Sequence, residues 1–160
     1  MDSKQNPLVL IKTKKGEIFI ELFETDAPNT VSNFISLIEK KFYDGLIFHR
    51  VVPNFVIQAG CPLGTGIGGP GYCIKLEVNN KQKHLKGYLS MARKPQPDTA
   101  GSQFFICLAN TPHLDGQYAI FGKVIKGIEV VDSIVQRDVI EKIEVKRKRK
   151  EIYKPNVIRE

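Results

Sequence analysis

The sequence predicts a mainly β protein, a closed antiparallel barrel. Short runs of β-branched and aromatic residues recur at modest intervals along the whole chain, and only two stretches carry the three-and-four spacing of a helix. Closing such a sheet on itself removes the exposed edges that would otherwise invite association, so the barrel needs no partner and a monomer is expected. A length of 160 residues suits one domain. The prediction is a single domain over 1–160 with a basic C-terminal extension over 146–160, and there is no internal repeat.

Residues 8–13 and 17–22 alternate or run apolar on either side of Lys14-Lys15-Gly16, which reads as a β-hairpin. Asp26-Ala27-Pro28-Asn29-Thr30 supplies helix-start residues. Val31, Phe34, Ile35 and Ile38 then share one helical face, giving a helix over 29–40 closed by Phe42-Tyr43-Asp44-Gly45. Residues 48–60, FHRVVPNFVIQAG, form the segment around which the rest is organised: two strands meeting at Pro53. In the second strand Val56, Gln58 and Gly60 point one way, Ile57 and Ala59 the other.

Residues 64–71 formally contain GxGxxG. Pro70 and Gly71 oppose the helix a dinucleotide site needs, and no Gly-Lys-Ser/Thr follows, so a tight surface loop is predicted. Residues 72–78 and 87–92 are strand candidates joined by the polar stretch 79–86. Residues 93–100, with two prolines, form a loop. Strands are predicted over 104–108 and 118–124, the second entered through Asp115-Gly116. Val130, Val131, Ile134 and Val135 give a second short helix from Ile128, and Ile140, Ile143 and Val145 a last strand.

Composition narrows the class. Hydrophobic content of 42% and charged content of 26% are those of a soluble globular protein. No apolar run approaches the ~20 residues a membrane span requires, so no membrane association is expected, and residues 1–7 lack the apolar core of a signal peptide. Cys61, Cys73 and Cys107 cannot all pair within one chain and fall in no metal-binding spacing; they are read as reduced thiols of a cytoplasmic protein. The net charge is +7, and Lys146-Arg147-Lys148-Arg149-Lys150 supplies five of those charges. This tail could bind polyanions weakly, or direct a eukaryotic protein to the nucleus; the preferred reading is a solvated strand end followed by a loose terminus.

Four motifs, residues 48–60, Leu89-Ser90-Met91-Ala92, Gly101-Ser102-Gln103-Phe104-Phe105-Ile106-Cys107 and HLDGQYAIFG over 113–122, resemble the cyclophilin family of peptidyl-prolyl isomerases in the family's order. The likeness runs from about Leu8 to Val145. It implies eight strands capped by a helix at each end, and catalysis of rotation about X-Pro bonds in unfolded or flexible protein segments. That rotation has a barrier of about 18–20 kcal/mol, because it breaks amide resonance. Lowering it requires tighter binding of the twisted amide than of either planar form, so no metal or cofactor is expected.

By resemblance, Arg50 is the catalytic residue, donating to the proline nitrogen as resonance is lost, and Phe55, Val56, Phe105 and Leu114 form the proline pocket. Gln58 would orient the peptide backbone. Ala92 and Arg93 would line the groove beside the residue before proline, and Gln103 another part of it. His113 and Tyr118 complete the rim. His113 stands where strong cyclosporin binders carry tryptophan, which this chain lacks altogether, so cyclosporin binding should be weakened. Tyr118 occupies a position that is often histidine, and Val56 one where methionine is frequent. Arg93 and Lys94 would bring positive charge to the groove and favour acidic residues near the substrate proline.

Strand alternation turns His49 away from Arg50, toward a hydrogen-bonded structural role. Ser90, Ser102 and Cys61, taken with His84 or His113, offer no nucleophile elbow or ordered triad, and hydrolysis is set aside. The alternative to an enzyme is a proline-peptide binding module with incidental catalysis, which would not need a donor aimed at a transition state. An RNA-associated protein acting through its basic tail would instead lose function on deletion of 146–150 and keep it in Arg50→Ala.

Overall fold

The computed structural model describes residues 5–159. Residues 1–4 of the stretch read as lacking a signal peptide, and residue 160 of the extension, lie outside the described residues. Strand β1 (Leu8–Thr13) pairs antiparallel with β2 (Gly16–Leu22) in register from Leu8↔Glu21 to Thr13↔Gly16. Val9 and Ile11 on the first strand and Ile18, Ile20 and Leu22 on the second are fully buried in the main core.

Helix α1 (Pro28–Glu39) begins on a proline, whose missing N–H is no loss in the first turn. Its cap comes from far along the chain: Glu77 accepts the N–H groups of Asn29 (3.0 Å) and Thr30 (2.6 Å). An anion is favoured there by the unpaired N–H groups and the helix dipole. This corrects the long strand predicted over 72–78. Strand β5 is only Tyr72–Cys73, because the chain then leaves the sheet and carries Glu77 to the helix. Val31, Phe34, Ile35 and Ile38 of α1 enter the core as their spacing predicts. The Phe34 ring there meets the edges of Phe104 (5.3 Å) and Phe121 (5.1 Å).

The remaining strands are β3 (Arg50–Val52), β4 (Val56–Ala59), β6 (Tyr88–Met91), β7 (Phe104–Cys107), β8 (Ile120–Lys126), β9 (Lys142–Arg147) and β10 (Ile158–Arg159). Of the ten strands among the described residues, eight, with β1 and β2 included, form one antiparallel sheet in the order β3-β4-β7-β6-β8-β2-β1-β9, curled around the core. Its ladder is not closed, unlike the barrel expected. The two outermost strands do not pair; segments 45–48 and 137–140 cross the gap instead, through the Ile47↔Val139 bridge and main-chain bonds such as Ile140 N to Leu46 O at 2.7 Å.

Helix α2 (Ile128–Ser133) is shorter than expected. Extended backbone at Ile134 ends it, and Val135 turns out to solvent.

The loose terminus expected after residue 146 is overturned. Lys146 and Arg147 complete β9, and the segment beyond returns to the body. Tyr153 is buried, donates to Glu24 Oε1 at 2.6 Å and accepts the Arg149 N–H at 3.1 Å. Arg147 donates to Asn6 O, Arg149 to Thr25 Oγ1, and Lys148 pairs with Glu39 at 2.6 Å. Strand β10 then pairs with β5 in a small second sheet. Much of the basic run is thus held by internal acceptors.

Candidate active site

The turn between β3 and β4 sets the site's geometry. Pro53 fixes its first central residue, Asn54 adopts the positive φ (63°) that the second requires, and the Phe55 N–H closes it on Val52 O at 3.0 Å. The register that results puts Arg50 opposite Gln58, Gln58 opposite Phe105, and Phe105 opposite Ser90. Residues directly opposite in antiparallel strands share a face, so these four form one row across β3, β4, β7 and β6. Ile57, Ala59, Phe104 and Ile106 alternate with them and fill the main core. The outward face carries a second apolar cluster of Val56, Phe105, Cys107 and Leu114, flanked by Phe55, Ala92 and Tyr118.

A cavity of about 450 Å³ opens over this cluster, within the range of small-ligand sites. Arg50, Phe55, Val56, Gln58, Ala92, Arg93, Phe105, Leu114 and Tyr118 all line it. Gln103 lines an adjoining cavity of about 270 Å³ that shares Gln58, Gly66, Ala92 and Arg93. His113, on the 3-10 turn Pro112–Leu114, stacks on Phe55 with ring centres 5.7 Å apart.

Polar groups run in a chain beside the apolar floor. Arg50 donates to Gln58 Oε1 at 3.3 Å and sits 5.9 Å from the centre of the Phe55 ring. Gln58 Nε2 donates to Gln103 Oε1 at 3.0 Å, and Gln103 Nε2 to the carbonyls of Gly66 (2.8 Å) and Gly68 (2.9 Å). Each amide accepts on one side and donates on the other, so both orientations are fixed. Gly60, at φ 98° and packed against the Ser102 carbonyl, admits no Cβ and turns the chain from β4 into this glycine-rich loop.

Arg93 lies 4.9 Å above the Tyr118 ring with its guanidinium on the carbonyls of Gln117 (2.7 Å) and Lys94 (2.9 Å). These bonds hold Arg93 in place, and Lys94 is the more exposed charge of the pair. The Ala92 N–H is engaged by Gln103 O at 3.0 Å, which leaves the Ala92 carbonyl as its main-chain contact for a ligand.

Two expectations about histidine change. His49 precedes β3, so strand alternation does not govern it, and it lines the same cavity as Arg50. Its Nδ1 is buried without a hydrogen-bond partner among the described residues. Burial first, and then the Arg50 charge, lower its pKa, against a hydrogen bond with the Gln103 side chain that raises it. Thr65 and Gly66 also reach the cavity and were missed, because a loop carries no periodicity to reveal which residues face inward.

The second change concerns Asp115, His84 and Ser90, which do fall into line, at 2.8 Å and 2.9 Å. Turn geometry, invisible to motif spacing, brings them together. Ser90 is fully buried, so it is no nucleophile.

The family model for cyclophilin type peptidyl-prolyl cis-trans isomerases matches residues 8–158. The chain belongs to the cyclophilin family. Its reaction is that of the family, cis–trans isomerisation of peptidyl-prolyl bonds. This cyclophilin is 54% identical over 136 residues to a peptidyl-prolyl cis-trans isomerase of Helicobacter pylori, covering 83% of each chain. It is 50% identical over 131 residues to peptidyl-prolyl cis-trans isomerase B of Bacillus subtilis, covering 81% of this chain and 91% of that one. A crystal structure of a Cryptosporidium parvum cyclophilin superposes with a TM-score of 0.83 at 34% identity, covering 89% and 99% of the two chains. The same parasite protein in the presence of the dipeptide Ala-Pro gives 0.81, also at 34% identity, over 88% of this cyclophilin and 99% of that chain.

Proposed function

We propose that Arg50 is the catalytic residue of this isomerase and that the cavity over Val56, Phe105 and Leu114 holds the substrate proline, with Phe55 as its outer wall. The observation that carries this reading is a permanent cation at the rim of an apolar hollow, fixed by Gln58 on the strand that also supplies the hollow's floor. As the X-Pro bond twists, the proline nitrogen becomes pyramidal and gains lone-pair density. A guanidinium N–H aimed at that nitrogen opposes the return of resonance and stabilises the twisted state more than the planar ones.

The ring must be held while the preceding peptide plane turns. Phe105 and Leu114 supply the shape, and the ordered amides of Gln58 and Gln103 supply acceptors and donors for the peptide backbone. The Ala-Pro dipeptide accompanying the parasite neighbour supports a proline-containing ligand for this cleft. The substrates in this reading are exposed X-Pro bonds of unfolded or flexible protein segments in a reducing, cytosol-like compartment. Buried thiols at Cys61 and Cys107 suit that setting.

The test is a titration of the isotopically labelled protein with an Ala-Pro-containing peptide. Shifts concentrated at Phe55, Phe105 and Leu114 are expected; shifts confined to surfaces away from them would remove the assignment.

A further inference from the structure

We propose that His84 is a positioning residue for isomerisation, held as its Nδ1–H tautomer by Asp115 so that its ring and its bond with Ser90 fix the Phe105–Tyr118 wall of the cavity. The inference rests on the assignment of that cavity to the substrate proline.

His84 is 1% exposed and lies between β5 and β6, outside every regular element. Its main-chain N–H and its Nδ1 both meet the same oxygen, Asp115 Oδ1, at 2.7 and 2.8 Å. A carboxylate can only accept, so Nδ1 carries the proton and Nε2 is left to accept from the Ser90 hydroxyl at 2.9 Å. Burial keeps the ring neutral against the pull of Asp115.

The plane of the imidazole then does the mechanical work. It stacks on Phe105 with centres 6.0 Å apart and planes 12° from parallel, and it meets Tyr118 edge-on at 6.4 Å. Phe105 and Tyr118 in turn meet edge to face at 5.7 Å. Ser90 stands opposite Phe105 in the β6–β7 ladder, and the Thr111 N–H donates to the His84 carbonyl at 2.8 Å, anchoring the turn that carries Leu114. One buried ring thus touches Phe105 and Tyr118, bonds to β6 through Ser90, and shares its residue with the turn that carries Leu114.

Rotation about an X-Pro bond is accelerated only to the extent that the twisted amide fits better than the planar one. A pocket wall that yields under the turning substrate loses that distinction while still binding the ring. The loss therefore falls on kcat and spares KM.

The experiment measures kcat and KM on a short X-Pro peptide and the side-chain ¹⁵N shifts of His84 in wild type, Asp115→Ala and Asp115→Asn. Asp115→Ala should lose about fivefold in kcat with KM changed less than about twofold, and its imidazole should leave the Nδ1–H pattern. Asp115→Asn keeps an Oδ1 that accepts both N–H groups, and should return kcat to within about twofold of wild type with the Nδ1–H pattern intact. Ser90→Ala, which removes only the hydroxyl, should lose about two- to threefold in kcat, and serves if Asp115→Ala does not fold. Ile143→Val, a core change on β9 that lines neither cavity, controls for general destabilisation. The inference is overturned if Asp115→Ala or Ser90→Ala keeps wild-type kcat, if Asp115→Asn is no better than Asp115→Ala, or if Ile143→Val loses as much kcat. Arg50→Ala run in parallel separates the two readings. Full activity there removes the pocket assignment, whereas its loss beside an unimpaired Asp115→Ala removes the role of His84 alone.

Discussion

Arg50 and Gln58 stand opposite one another in the β3–β4 ladder, and the guanidinium donates to the Gln58 side-chain oxygen at 3.3 Å. The bond aims an otherwise flexible cation along the row that leads to Phe105. Gln58→Leu keeps the volume but removes both this acceptor and the donor to Gln103. Losing hydrogen bonds to a charged and a neutral partner should cost about 1–2 kcal/mol of transition-state stabilisation. That corresponds to a fall of roughly five- to thirtyfold in kcat/KM, measurable in a protease-coupled assay. An unchanged value would mean that Arg50 needs no such tether.

His113 stacks on Phe55 at the cavity's outer edge, where the resemblance places tryptophan in strong cyclosporin binders. An indole would offer more apolar surface and a ring N–H at that rim. His113→Trp should tighten cyclosporin binding, read by calorimetry, at least about tenfold, while isomerase activity changes less than about threefold. Equal affinities in the two proteins would sever drug binding from this position.

Cys61 offers a pH signature. Burial works against its thiolate, but the backbone N–H groups of Thr65, Gly66, Gly68 and Leu63, with those of Gly66 and Gly68 each 3.2 Å from the sulfur, outweigh that and bring the thiol from its ordinary value of 9.0 down to about 7. A value lowered by folding stabilises the fold fully above the unfolded value and loses that contribution as pH falls through the folded one. Chemical denaturation should therefore show wild-type stability rising from pH 7 to 9 relative to Cys61→Ala. Parallel pH curves for the two would contradict a thiolate at this site.

Tyr153 holds the C-terminal segment through the buried carboxyl of Glu24. Tyr153→Phe leaves that carboxyl short of a donor and should lower unfolding stability by about 1–3 kcal/mol, seen as a lower urea midpoint. No shift in the midpoint would indicate that Arg149, 3.7 Å from Glu24, suffices alone.

The parts legible in the sequence are those set by short-range rules. Alternation in residues 56–59 placed Gln58 on one face and Ile57 on the other, and the spacing of Val31, Phe34, Ile35 and Ile38 gave α1 nearly to the residue. The residues that line the cavity were read through family motifs rather than through periodicity, since an aromatic such as Phe105 looks the same in a core as in a cleft. What stayed hidden depends on distant partners. Glu77 caps a helix 47 residues away from Thr30, and Arg149 and Tyr153 bind a strand end more than a hundred residues back. His49 was misjudged because the strand starts one residue later, and the alignment of Asp115, His84 and Ser90 arises where a loop and a turn converge. No local pattern encodes such meetings.

Two-dimensional exchange NMR on a short X-Pro peptide, with wild type and Arg50→Ala side by side, tests the central claim most directly. With the variant's own spectrum still that of a folded protein, its isomerisation rate should fall by more than about tenfold, equivalent to about 1.4 kcal/mol or more of lost transition-state stabilisation. A folded Arg50→Ala enzyme that turns the peptide over at the wild-type rate would contradict it.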